Sequence, residues 1–149
     1  MLLTNEQILP VSQEQAWAAL NDPQALQACI PGCESLTATG PDEFDMTLLV
    51  AVGPVKAKFK GKLRLADQKA PDSYTLHFEG QGLGAGHGRG SAQVRLEARG
   101  DNETALLYSA SASVGGKIAQ VGARLVDMTA NKMAASFFTA FSEHLRSRG

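Results

Sequence analysis

The feature that most constrains this chain is the segment 55–65, in which apolar and basic residues alternate without a break. Successive side chains of a β-strand point to opposite faces, so this alternation predicts a strand with one buried and one hydrated face. Such strands are typical of antiparallel sheets that pack on one side only. The buried face would carry Val55, Ala57, Phe59, Gly61, Leu63 and Leu65, and the hydrated face Lys56, Lys58, Lys60, Lys62 and Arg64.

The same period of two recurs from about residue 34 to Ala112. A looser alternation over residues 2–10, which ends at Pro10, predicts one more strand at the start of the chain. We therefore expect six to seven strands. Outside the segment 55–65, their inner faces would carry Phe44, Met46, Leu48, Val50, Val52, Tyr74, Leu76, Phe78, Ala92, Val94, Leu96, Ala98, Leu106, Tyr108, Ala110 and Ala112.

Helical patterns lie on both sides of this strand region. Ser12 with Gln15 forms a capping-box pattern, and Asp22 followed by Pro23 is typical of a second helix start. After residues 115–116, a Gly-Gly pair, the apolar period returns to 3.6 and predicts a long C-terminal helix. Its apolar stripe would hold Ile118, Val121, Leu125, Met128 or Thr129, Met133 and Phe137.

One arrangement buries all of these apolar faces together. A curved antiparallel sheet wraps around the C-terminal helix, and the two short helices close one end. The sequence therefore predicts an α+β protein with a helix-grip fold. Its 149 residues suit a single domain over residues 1–149.

The composition excludes several classes of function. Fourteen Lys and Arg against fifteen Asp and Glu leave a net charge of -1, whereas a nucleic-acid binder needs a strongly basic face. No apolar run approaches the ~20 residues that span a bilayer, and the N-terminus lacks the pattern of an export signal. We therefore expect a cytoplasmic protein that binds no nucleic acid.

The segment from Gly80 to Gly90 carries glycine at every even position. This spacing cannot supply the glycines at n, n+2 and n+5 that a dinucleotide-binding loop requires. Two interpretations remain. Either the inner face of the sheet is stripped of side chains here and encloses a cavity, or the glycines form a hairpin with a bulge and no cavity. An empty cavity costs stability, ~24 cal/mol per Å³, so a cavity that is retained favours a ligand site.

The basic residues of segment 56–64 also allow two interpretations. They would attract an anionic membrane surface or an acidic partner. Alternatively, they form a hydrated face with cross-strand partners Glu43, Asp45 and Glu79, and discourage pairing of strand edges.

Catalytic and metal-binding patterns are not found in the sequence. Cys29 and Cys33 lack further ligands for a zinc site and fit a buried structural role. His77, His87 and His144 are far apart and pair with no nucleophile. The expected inner face offers only two ionisable side chains, both tyrosines, so we predict no catalytic residue, no metal site and no cofactor apart from a bound ligand.

Several motifs, spread over nearly the whole chain, resemble those of one known family. They are Trp17-x-x-Leu20-x-Asp22-Pro23-x-x-Leu26, Cys29-Ile30-Pro31-Gly32-Cys33-Glu34, Val52-Gly53-Pro54-Val55, Phe59-x-Gly61, Gly90-x-Ala92-x-Val94-x-Leu96, Val114-Gly115-Gly116-Lys117-Ile118-Ala119-Gln120-Val121-Gly122-x-Arg124-Leu125 and Phe137-Phe138-x-x-Phe141. Together they resemble the G-subunit family of carbon monoxide dehydrogenase.

This resemblance implies a START-like fold, related to the polyketide cyclases, with a hydrophobic cavity. It implies a non-catalytic accessory protein that binds a quinone or lipid and serves a molybdenum hydroxylase of the carbon monoxide dehydrogenase type. It also implies peripheral contact with the inner face of the cell membrane. Two alternatives are an assembly or maturation factor that acts through protein contacts, and a polyketide-cyclase-like enzyme.

The expected cavity and its mouth can be assigned to residues. The cavity would be lined by Trp17, Cys33, Phe44, Met46, Leu48, Phe59, Leu76, Phe78, Gly82, Gly84, Tyr108, Ala110, Ile118, Val121, Gly122, Leu125 and Met128. The mouth or lid would be formed by Pro31, Gly32, Gly53, Pro54, His87 and Arg89. Because a carrier must release its ligand, we expect a mobile lid, formed by the Pro31–Glu34 turn or the Gly53-Pro54 turn.

Overall fold

The computed structural model describes residues 1–148 and confirms the predicted helix-grip fold. Strands and helices follow one another in the expected order, and the strand number is seven. The strands are β1 (Leu2–Leu9), β2 (Cys33–Gly40), β3 (Glu43–Val52), β4 (Val55–Lys69), β5 (Ser73–Gly82), β6 (Gly86–Ala98) and β7 (Thr104–Gly115). The helices are α1 (Gln13–Leu20), α2 (Pro23–Cys29), a short 3₁₀ segment (Lys117–Val121) and α3 (Ala123–Arg148).

The seven strands form one antiparallel sheet in the order β1-β7-β6-β5-β4-β3-β2. The register keeps the predicted alternation across neighbouring strands, since Tyr74 lies opposite Val94 and Val94 lies opposite Tyr108. All three side chains therefore share the inner face, which packs against α3. Lys56, Lys58, Lys60, Lys62 and Arg64 of β4 lie on the outer face, where they are exposed.

The two short helices begin where the capping patterns predict. The Ser12 side chain accepts a hydrogen bond from the Gln15 backbone, and the Gln15 side chain caps the backbone of Ser12 in return. The Asp22 carboxylate accepts a hydrogen bond of 3.0 Å from the Gln24 backbone. Gln13, in the first turn of α1, donates to the carbonyl oxygen of Leu96 at 3.1 Å and so holds α1 against the sheet. Each cap satisfies a backbone donor that a helix start leaves unpaired.

The main core lies where α1 and α2 meet the second half of α3 and the sheet. Phe141 is fully buried, and its ring stacks on Phe137 with the centroids 5.3 Å apart. Trp17 meets Tyr74 edge to face at 5.5 Å. The buried members of this core are Leu9, Val11, Ala16, Leu20, Cys29, Leu36, Phe44, Leu63, Leu65, Tyr74, Val94, Leu96, Leu106, Phe141 and Leu145.

The sequence predicted the wrong buried face for the first half of the C-terminal helix. Gly122, with φ +103°, separates the 3₁₀ segment from α3, so residues before and after it do not share one helical stripe. Leu125 and Met128, predicted to face inward, are instead 37% and 58% exposed. Val126 and Met133 face the sheet from this half of α3. In the described part of the chain, no helix combines the length and hydropathy needed to span a bilayer.

Candidate ligand-binding site

A cavity of about 260 Å³ lies between the sheet and the first half of α3. Its walls are formed by apolar side chains of the inner sheet face, the 3₁₀ segment and α3. They are Met1, Met46, Leu48, Val50, Val52, Phe59, Phe78, Ala112, Val114, Ile118, Val126, Ala130 and Met133. Thr129 also lines the cavity, but its hydroxyl donates a hydrogen bond of 2.9 Å to the Leu125 carbonyl within α3. The wall therefore presents apolar surface to a ligand.

The floor of the cavity is a row of three glycines across neighbouring strands. Gly61 of β4 lies opposite Gly80 of β5, and Gly80 lies opposite Gly88 of β6. All three line the cavity. Because glycine has no side chain, the sheet offers bare backbone at this place, and the space above it stays open.

Crowding by neighbouring backbone atoms does not explain why Gly80 and Gly88 are glycines. A Cβ built on Gly80 would lie 3.7 Å from the nearest atom, the Lys60 carbonyl oxygen, and one on Gly88 would lie 3.4 Å from Val114 Cγ1. Both distances are ordinary contacts. At Gly61, in contrast, a Cβ would lie 2.7 Å from the backbone oxygen of Glu79. A Cβ atom would thus fit at Gly80 and Gly88, and the absence of side chains there leaves volume for the cavity.

The glycine segment also forms a hairpin, but without the bulge considered for it. The ladder between β5 and β6 runs from Ser73 opposite Arg95 to Gly82 opposite Gly86 with no register shift. Gly84 lies in the connecting turn with φ +76° and open space around its Cβ position. The expectation that Gly84 lines the cavity is therefore wrong, since even numbering stops indicating the inner face once the chain leaves the strand.

A second small core borders the cavity at the end away from the short helices. We call Phe59, Ala85 and Ile118, which are buried together, the end cluster. Ile118 is held there by a hydrogen bond of 2.8 Å from its backbone N–H to the Ala85 carbonyl. The 3₁₀ segment that carries Ile118 lies between Gly116, with φ +79°, and Gly122. We call this segment, residues 117–121, the strap. A glycine flanks it on each side, and the buried side chain of Ile118 holds it against the sheet.

The structure divides the expected cavity residues among several places. Met46, Leu48, Phe59, Phe78 and Ile118 line the cavity. Trp17, Cys33, Phe44, Leu76 and Tyr108 belong to the main core. Gly82 is buried beneath the Phe59 ring, whose Cε1 would lie 2.7 Å from a Cβ at that glycine. Ala110 and Val121 are half-buried outside the cavity lining, and Gly122 ends the strap.

The expected mouth residues do not form one mouth. Pro31 and Gly32 line a separate surface groove beside Cys29 and Cys33, and the Gly32 carbonyl accepts a hydrogen bond of 2.9 Å from Leu49. That turn is tied to β3 and does not border the cavity.

The other expected mouth residues lie in different places. Gly53 and the neighbouring Pro54 are exposed beside the start of α3, where a Cβ on Gly53 would lie 3.2 Å from Leu125 Cδ1. His87 is exposed on the outer sheet face, where its ring covers Gly115. Arg89 borders the cavity, but strand alternation directs its exposed side chain outward.

Sequence reasoning missed the cavity residues that come from the strand ends and from α3. Val50, Val52 and Ala112 lie on inner faces that the alternation had identified, but nothing in the pattern distinguished cavity positions from core positions. Val126 and Ala130 were missed because the helix phase was wrong. The glycine row was not recognised because it depends on the register between three strands.

Burial raises the pKa of the three ionisable groups that pack within the fold near α1 and α2. Desolvation raises the pKa of the Tyr74 hydroxyl well above its usual value, and it also raises the pKa of the Cys29 thiol. It raises the pKa of Cys33 as well, partly opposed by the hydrogen bond of 3.3 Å from its Sγ to the Ser35 carbonyl. These groups are neutral near pH 7, and both thiols are poor nucleophiles. Residues 1–148 contain no cluster of His, Cys, Asp or Glu that could hold a metal ion.

Residues 6–146 match the model of the carbon monoxide dehydrogenase G-subunit (CoxG) family. The chain belongs to the CoxG family. No curated protein matches its sequence significantly.

Solved structures agree with this assignment at the level of the fold. A conserved protein from Geobacillus kaustophilus is 31% identical to this CoxG family member, with a TM-score of 0.92 over 99% of this chain and 96% of that chain. A START superfamily protein from Mycobacterium smegmatis is 11% identical, with a TM-score of 0.76 over 99% of both chains. The Zhui aromatase/cyclase from Streptomyces sp. R1128 is 12% identical, with a TM-score of 0.72 over 99% of this chain and 94% of that chain. The two distant similarities establish a START-like fold for this CoxG family member.

Proposed function

We propose that this CoxG family member is a non-catalytic carrier that binds an isoprenoid quinone or another lipid between the sheet and α3. The observation that supports this proposal is the cavity with apolar walls and a glycine floor. Each CH₂ group of an apolar chain that moves from water into an apolar site contributes ~0.8 kcal/mol to the free energy of binding. The apolar walls of the cavity provide such a site.

The size of the cavity supports partial enclosure of such a ligand. Its volume of about 260 Å³ is below the ~300–1,000 Å³ of pockets that enclose most of a drug-sized molecule. A long isoprenoid chain would therefore place one segment over the glycine floor and extend past the end cluster. In this proposal Ile118 moves aside to let the chain pass, and the strap over residues 117–121 is the lid.

The same lining supports a role without catalysis. General acid-base chemistry needs a titratable group within hydrogen-bond reach of the reacting atoms. Glu79 and Arg89 border the cavity, but both are exposed and alternation directs their side chains to the outer face. The inner-face tyrosines belong to the main core or pack against it. The similarity to an aromatase/cyclase makes a cyclase-like enzyme the alternative, with the same cavity as its active site.

The partner and location belong to the proposal as well. The family name supports association with a carbon monoxide dehydrogenase, and we extend this to a molybdenum hydroxylase that passes electrons to the bound quinone. Cytoplasmic location with transient contact at the inner membrane face fits the exposed apolar side chains in the first turns of α3, namely Leu125 and Met128. An assembly factor that acts through protein contacts alone is the second alternative.

The decisive experiment combines native mass spectrometry with a matched pair of variants. Protein purified from a quinone-containing host should carry a stoichiometric quinone or lipid, identified after solvent extraction. In equilibrium dialysis with a short-chain ubiquinone, Gly80→Val should weaken binding by about tenfold or more, because the new side chain fills the floor. Gln81→Val, the next residue with its side chain on the outer face, should bind as the wild type does.

Three results would count against the carrier. A protein that is empty on purification and binds no added quinone would favour the assembly factor. Unchanged affinity in a folded Gly80→Val variant would place the ligand elsewhere. Turnover of an aromatic polyketide-like substrate would favour the cyclase.

A further inference from the structure

The outer face of the sheet carries a broad trough behind the glycine floor. It has a volume of about 1,250 Å³ and runs across β4, β5, β6 and the end of β7. Three glycines of the cavity floor, Gly61, Gly80 and Gly88, border it from behind. Its outward side chains are Lys58, Lys60, Lys62, Glu79, Gln81, Leu83, His87, Arg89 and Ser113.

The positive charges of the trough are unevenly compensated. At one end, the register places Glu79 between Lys62 and Arg89, and it places Asp45 on the other side of Lys62. At the end nearer the β5–β6 turn, Lys60 lies between Thr47 and Gln81, which are both uncharged. That end therefore keeps its positive charge.

The next two lysines along β4 continue the row of positive charges toward the β3–β4 turn. Lys58 lies opposite Leu49, and Lys56 lies opposite Ala51. Of the basic residues in segment 56–64, Lys58 alone forms an ion pair among the described residues, at 3.1 Å from Glu34. Both side chains of that pair remain about half exposed. Exposed pairs of this kind are worth little. We call Lys56, Lys58 and Lys60 the basic end.

Exposed apolar side chains accompany these charges. Leu83 is fully exposed in the β5–β6 turn, and Leu49, directly across from Lys58, is 49% exposed. Together with the positive charge, these exposed apolar groups suit a surface that an acidic, partly apolar partner covers.

We propose that this trough receives an acidic, partly apolar segment of a partner protein. Its concave shape fits a convex segment such as a helix or loop, whereas a flat bilayer would contact only its rims. Carboxylates of the segment would meet the basic end, and its apolar residues would contact Leu83 and Leu49. The inference rests on the proposed accessory role for the existence of a partner, but it does not depend on the ligand. A segment seated here would be separated from the cavity only by sheet backbone at the glycine row.

The test uses a fluorescent peptide of glutamate and leucine, with a peptide of glutamine and leucine as its uncharged match. We expect the acidic peptide to bind at about 20 mM salt and to weaken at about 300 mM, because salt screens exposed charges. The triple variant Lys56→Gln/Lys58→Gln/Lys60→Gln should bind it about tenfold more weakly. The control Lys69→Gln/Lys132→Gln/Arg146→Gln removes three exposed charges outside the trough and should change binding by less than about twofold.

Other outcomes would overturn the proposal. Equal weakening in the two triple variants would show an effect of net charge alone, and equal binding of the uncharged peptide would remove the role of the lysines. If the basic-end variant lost binding to phosphatidylglycerol vesicles but not to the acidic peptide, the face would be a lipid-binding surface. Quinone affinity should be the same in both triple variants, so failure here is distinguishable from failure of the carrier proposal.

Discussion

Glycines at neighbouring places in one sheet serve different purposes in this molecule. Gly61 is needed because backbone atoms of β5 crowd its Cβ position, whereas a Cβ at Gly80 would make only ordinary contacts. A glycine in the middle of a strand costs ~0.5–1 kcal/mol relative to alanine. At Gly80 no steric contact explains this loss of stability. A ligand site would explain it, because a side chain at Gly80 would fill the cavity.

This difference predicts opposite effects on stability for two similar substitutions. Gly80→Val should leave the free energy of unfolding unchanged or raise it by about 0.5–1 kcal/mol, because it limits the unfolded chain and fills empty space. Gly61→Val should lower it by about 1–3 kcal/mol, because the Cβ meets the Glu79 backbone. Urea unfolding of both variants measures the difference. A larger loss for Gly80→Val than for Gly61→Val would contradict this account of the floor.

The strap over residues 117–121 is a short segment that lies between two glycines. Its two flanking glycines, Gly116 and Gly122, have φ angles of +79° and +103° with ψ near ±150°, a region that is essentially restricted to glycine. Ile118 anchors the strap through the end cluster and one backbone hydrogen bond to Ala85. Few buried contacts make a segment easy to open.

Truncation of the anchor should therefore affect ligand exchange more than it affects the rest of the fold. Ile118→Ala should cost about 2–4 kcal/mol if the end cluster unfolds together with the main core, and less if it opens separately. In either case, a bound short-chain ubiquinone should dissociate several-fold faster, as stopped-flow transfer to lipid vesicles would show. Ile8→Ala, at a half-exposed position of β1, is the matched control and should leave the rate unchanged. Equal rates in the two variants would exclude the strap as the lid.

Across the entire fold, two cores of unequal size support one sheet. The main core holds the short helices, the second half of α3 and Tyr74, and the end cluster holds only the strap side. The cavity lies between them. We therefore expect the stability of the fold to depend mainly on the main core, and the region around the cavity to open without unfolding that core.

The main core also predicts how stability changes at alkaline pH. Burial raises the pKa of Tyr74, so above the unfolded-state pKa of about 10 the unfolded chain loses a proton that the folded protein keeps. The free energy of unfolding should then fall with rising pH, by at most about 1.4 kcal/mol per pH unit from this residue. The buried thiols of Cys29 and Cys33 act in the same direction. Chemical denaturation between pH 8 and 11, roughly the range around these pKa values, should show a shallower fall for Tyr74→Phe. Parallel profiles for the variant and the wild type would contradict a buried neutral Tyr74.

Local sequence patterns were enough to define the elements and the buried faces of the strands. Strand alternation and capping residues act between neighbours in the chain, so β4 with its basic outer face, the helix starts at Ser12 and Asp22 and the closing helix could all be predicted. The cavity, in contrast, depends on how the elements meet. The glycine row exists only because the register aligns Gly61, Gly80 and Gly88, and the phase of α3 depends on the backbone at Gly122. Both involve contacts or backbone angles that no periodic pattern encodes, which is why the core positions were easier to predict than the cavity they surround.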